Sequence, residues 1–164
     1  MHVDIEGAVR TARLAAQFGW TWYLDKDLPA FCDVAGWNLG ESTEYQTNLQ
    51  TDLRLQRPHA SVTRRKRMFD KMSVLVSDEI APSASWAQRQ RSLVDGFAAL
   101  GNGLLPVMGS PTRSAPGEDA MMSWEHPRVW IELKVVYDTV NLNLLSQEWQ
   151  ATTDAAARYD AGDW

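Results

Sequence analysis

The chain has 164 residues, 45% of them apolar and 23% charged, with a formal net charge of −5 and a pI near 5.1. One domain of that length buries roughly 70% of the surface its unfolded chain exposes, which excludes a disulfide or metal staple as a condition of folding and excludes a disordered chain. The acidic balance argues against a nucleic-acid binder, which needs a basic face, and suits a basic protein partner.

From the N-terminus, Asp4 is placed to cap a helix in which Ile5, Val9, Ala12 and Ala16 recur at helical spacing. Gly19 ends it. These first residues carry early acids and no long apolar core, so no secretory signal is expected. Trp20, Trp22 and Leu24 alternate, and a second helix is expected from Asp27 to Gly36, with Pro29 in its first turn and Leu28, Phe31, Cys32 and Ala35 as its apolar stripe. The segment GWTWYLDKDLPAFCDVAGW thus begins and ends at helix exits. Trp20 and Trp37 are expected to fold back as core plugs, while Trp22 is left open.

A strand-rich middle follows. In NLQTDLRLQ, Leu49, Thr51, Leu53 and Leu55 alternate with Gln50, Asp52 and Arg54, the pattern of a half-buried strand that Pro58 ends. KMSVLVSD repeats it with Met72, Val74 and Val76, and the basic run Arg64–Arg67 lies between the two as a solvated loop tip. A long helix is predicted after Ser83 or Ser85, headed by Trp86 and carrying Gln90, Leu93, Phe97, Leu100 and Leu104. Gly101 and Gly103 weaken its end, and Pro106 with Gly109 closes it. SPTRSAPGEDA reads as a loop. RVWIELKVVYDTVNLNLLSQ is the clearest hairpin, with Val129, Ile131, Leu133 and Val135 matched by Val140, Leu142 and Leu144 across a turn near Asp138. Residues 1–150 are therefore expected to form one domain. The tail, 151–164, is expected to hold one helical turn and then fray.

This order gives an α+β class: two layers, with an antiparallel sheet carrying helices on one face. No run approaches the roughly 18 apolar residues of a membrane span, and a single cysteine with no CxxC pair points to a reducing, cytoplasmic setting. The motifs GxSxG, GxxxxGK[ST], GxGxxG and HExxH are absent. His2, His59 and His126 have no partner at metal-ligand spacing, and Cys32 is expected to be buried and inert. No catalytic residue, cofactor or metal is expected, and the chain reads as a non-enzymatic binder.

Trp130 stands on the strand face of Glu132 and Lys134, opposite the apolar set, which suits an aromatic anchor for another chain. A helix lying over that face is the alternative. Glu41, Glu44, Glu132 and Asp138 are the carboxylates expected to meet a basic partner, and Trp164 is a further candidate anchor.

The segments FGWTWYLDKDLPAFCDVAGW, LGNGLLPVMGSPTR and EHPRVWIELKVVYDTVNLNLL resemble an uncharacterised actinobacterial family of small proteins. Such families are similar to the immunity proteins and dedicated chaperones that accompany secreted polymorphic toxins. The resemblance implies a cytoplasmic immunity protein, monomeric or dimeric, that binds and neutralises a cognate toxin. The alternatives are a secretion chaperone for an effector and an enzyme without a recognisable motif.

Overall fold

The computed structural model describes residues 1–162. Among them, α1 (Ile5–Gln17) and α2 (Leu24–Ala35) precede strands β1 (Asn38–Ser42), β2 (Gln46–Gln50), β3 (Ala60–Arg65) and β4 (Met68–Leu75). Helix α3 (Trp86–Met108) follows, then β5 (Arg113–Ala115), β6 (Met121–His126), β7 (Val129–Val136), β8 (Thr139–Leu145) and α4 (Gln147–Asp160). The strands form one antiparallel sheet in the order β1-β2-β3-β4-β8-β7-β6-β5. The α+β class is therefore as expected, with α1 and α3 packed over β7 and β8; the helices are not confined to one face, however, because α4 packs on the other face against β4 and β7.

Local signals set the helix ends. The Asp4 carboxylate accepts from the Gly7 amide at 2.9 Å and caps α1. Ser85 and Gln88 form a reciprocal capping box at the start of α3. Gly36 leaves α2 at φ 73°, a left-handed conformation that suits glycine. Gly103, expected to weaken α3, instead admits its neighbour: a Cβ there would stand 2.4 Å from Ile5 Cγ2 of α1. Helix α3 runs through Pro106 to Met108 before Gly109 ends it.

Three elements depart from the expected pattern. Helix α2 begins at Leu24, one turn early, because Asp27 does not cap it; its buried carboxylate accepts instead from the Thr21 and Trp22 amides at 2.7 and 2.6 Å. The NLQTDLRLQ strand stops at Gln50. Thr51 and Leu53 are buried as their spacing implies, but in a loop: Arg54 N donates to Asp4 Oδ2 at 2.7 Å and Asp52 pairs with Arg10 at 2.9 Å, drawing the chain off the sheet onto α1. The tail continues as α4 to Asp160, far beyond one turn, with Ser146 as its cap.

The indoles near the N-terminus form an aromatic cluster within the core. Trp20 Nε1 donates to Ala15 O at 2.8 Å, so this ring folds back on the helix it has left, as expected. It stacks on Trp22 with centroids 4.8 Å apart, and both rings contact Phe69 of β4. Trp37 packs edge-on against Phe31 of α2, 5.5 Å away. Trp22 sits at φ 63°, a strained position for a bulky residue, and Asp27 holds it there.

Candidate protein-binding surface

The residues singled out in the sequence do not converge on one site. Trp130 lies on the outer face of β7, as its alternation indicates, but it is only 4% exposed. Helix α4 crosses this face, the alternative noted above. Gln147 Oε1 accepts from Trp130 Nε1 at 2.7 Å, and the Arg113 guanidinium lies 4.6 Å from the ring centroid. Arg113 in turn grips Asp154 through two bonds of 2.7 and 2.8 Å. The ring is thus an internal anchor for α4 and is not open to a partner. Asp138 is likewise engaged, 2.6 Å from Arg89 of α3. Glu132 is half-buried and accepts from Asn143 Nδ2 at 2.8 Å.

Glu41 and Glu44 are exposed at the opposite edge of the sheet, on β1 and its turn into β2. Trp164 lies outside the described residues. The basic run is the β3–β4 turn. Arg64 Nη1 donates to Thr43 O at 2.9 Å, Arg65 lies 3.2 Å from Glu148, and Lys66 turns the chain at φ 60°.

Groups with chemical potential are held by the fold. Burial first, and then the Asp33 charge, push the Cys32 thiol up to about 11. In the native protein it is expected to resist an aromatic disulfide reagent at pH 8 and to react at once on denaturation. Because the folded state keeps the proton that the unfolded state loses from about pH 9, this group's contribution to stability is lost between about pH 9 and 11. Fast native labelling would contradict that burial. No group of three or more His, Cys, Asp or Glu is arranged to hold a metal among the described residues.

A different surface combines exposure with apolar character. Trp86, expected to head a core stripe, is 69% exposed. It shares the angular position of Leu93, but Leu93 is the first buried residue of α3, so the two turns before it overhang the core. Tyr137, in the β7–β8 turn at φ 53°, is 92% exposed. The Arg89–Asp138 ion pair ties the start of α3 to that turn and brings the two aromatic residues to one end of the molecule.

Further along α3, Val94 is 61% exposed and lines an open groove of about 470 Å³ with Leu93, Phe97, Met121, Met122 and Val135. An open, mainly apolar groove of this kind is a candidate binding site. Spacing gave the angle of these residues around the helix but not which turns reach beyond the sheet, so the reading from sequence missed them. An overhanging first turn was the available signal: Trp86 directly follows the Ser85 cap.

No curated protein matches this chain. Among solved structures, a DUF4309 family protein (YjgB) from Bacillus subtilis is similar at 9% identity, with a TM-score of 0.43, over 88% of this chain and 96% of that one. Residues 6–146 match one family model, a span from α1 to the cap of α4, and the chain belongs to that family of unknown function, DUF6301.

Proposed function

We propose that this chain is a protein-binding module, an immunity protein that holds and neutralises a cognate secreted toxin in the cytoplasm. One observation carries the reading: two strongly exposed aromatic residues, Trp86 and Tyr137, stand in α3 and the β7–β8 turn, one turn before Gln90 and two residues after Val135, which line an open, mainly apolar groove. Tryptophan and tyrosine in such positions dominate binding energy in protein interfaces. The net charge of −5 favours a toxin with a basic surface, as active sites that handle phosphate-bearing substrates often present.

A secretion chaperone is the second reading. It is favoured by strand β5, which ends the sheet order beside the groove and suits an extended effector segment. An enzymatic reading gains nothing from Cys32, whose thiol is pushed away from the reactive thiolate form.

The test is co-purification with the products of neighbouring genes, followed by rescue of cells from any product that kills. Trp86→Ala and Val94→Asp are each expected to weaken partner binding by about thirtyfold, the equivalent of roughly 2 kcal/mol at a hot spot. Because both side chains are exposed, the thermal midpoint should move by less than about 2 °C. A bound enzyme substrate turned over by the purified protein, with no protein partner retained, would contradict the proposal.

A further inference from the structure

Strand β5 spans three residues, all exposed, and forms one end of the sheet. Its inner neighbour is β6, and no described strand covers its other side. An uncovered edge is a template for an added strand unless charge, proline or a covering element blocks it. Pro116 limits the length of this one, but the edge stays open over Ser114 and Ala115, and both line the groove beneath α3. Backbone hydrogen-bonding groups and an apolar slot therefore lie side by side, the two requirements of strand-addition recognition.

Charge narrows the occupant further. Glu118 lines the groove, Asp119 follows it, and Asp95 neighbours Val94 on α3. All three carboxylates are exposed and none has an ion-pair partner among the described residues, against two cations near the groove without one, exposed Arg91 and half-buried Lys134. An apolar slot with an acidic rim selects a segment that carries basic side chains beside its apolar ones.

We infer that the groove receives an extended segment of the partner protein, which adds to β5 as a further strand. Alternate apolar side chains enter the slot beside Val94 and Phe97, and lysine or arginine on the same face, flanking them at the ends of the segment, meets Glu118 and Asp119. This rests on reading the surface as a protein-binding one and adds the conformation and charge of what binds.

The experiment is panning of a randomised linear peptide library against the full chain, with Val94→Asp protein as the counter-selection. Enriched peptides are expected to carry apolar residues at a period of two, with lysine or arginine flanking them. The best of them, synthesised, should lose affinity on the order of tenfold against a Glu118→Lys, Asp119→Lys double variant. A similar loss is expected when its alternate backbone amides are N-methylated. Apolar residues at helical spacing, indifference to the charge reversal or to N-methylation, or no enrichment over Val94→Asp protein would overturn the inference. In that case, if Val94→Asp still abolishes cell rescue, the groove remains a binding surface for a partner of another shape. If Val94→Asp also leaves rescue intact, the binding-surface reading fails with it.

Discussion

Replacing Asp27 with alanine is expected to destabilise the fold by about 4 kcal/mol, the scale of stranding two buried backbone donors and one hydroxyl at roughly 1–3 kcal/mol for each unsatisfied group. The side chain is 2% exposed and accepts three hydrogen bonds: from the Thr21 amide at 2.7 Å, the Trp22 amide at 2.6 Å and the Thr21 hydroxyl at 2.8 Å. Alanine removes the acceptor for two backbone donors, and each donor left unsatisfied costs roughly 1–3 kcal/mol. It also releases Trp22 from φ 63°, and with it the indole stacked on Trp20 and packed on Phe69. Urea unfolding followed by tryptophan fluorescence would measure the loss, and near-ultraviolet circular dichroism would report the stacked pair. Asp27→Asn keeps one acceptor oxygen and should fall between. A loss below about 1 kcal/mol for the alanine variant would show that the aromatic cluster holds its conformation without this brace.

Trp130→Ala is expected to cost about 3 kcal/mol, within the usual range for truncating a buried aromatic residue. For a chain of this size that lowers the thermal midpoint by roughly 6–12 °C. The indole is enclosed by Gln147 and the Arg113 guanidinium, so its loss leaves a cavity under α4 and frees the Arg113–Asp154 clamp to reposition. Trp130→Phe keeps the face on which Arg113 lies and loses only the bond to Gln147, which should cost about 1 kcal/mol. Amide exchange in α4 should rise in the alanine variant. An unchanged midpoint together with lost partner affinity would instead return this ring to a binding role.

The parts of the fold legible in the sequence are those set by neighbours a few residues apart. Asp4, Ser85 and Gly36 announce helix ends because capping bonds and left-handed turns are local. The hairpin from Val129 to Leu145 is legible because both strands alternate cleanly about a short turn. Strands β3 and β6 are not. Each offers only two apolar residues at alternate positions, Ala60 and Val62 or Met122 and Trp124, too short a run to read, and it is pairing with β4 and β7 that defines them. Strand β5 is legible only as loop, since three exposed residues have no periodicity to read.

The candidate surface divides along the same line. Alternation places Trp130 on the correct face of β7, but the cover over it comes from partners far along the chain: Arg113 and Asp154 are 41 residues apart. Helix α4 also lies beyond residues 6–146, the span that matches the family. For Trp86 the error is axial, because helical spacing cannot show that the first turns of α3 extend past the core. Burial in both cases depends on where whole elements end relative to one another. That information enters only with tertiary packing.

Two sets of aromatic residues are therefore set apart, one enclosed in the scaffold and one standing clear of it. The most direct measurement is a paired one on Trp86→Ala: its thermal midpoint, and its ability to protect cells from whichever neighbouring gene product the parent chain neutralises. The expected result is a midpoint within about 2 °C of the parent and protection lost. Full protection by a variant this stable would contradict the assignment of that exposed surface to partner binding.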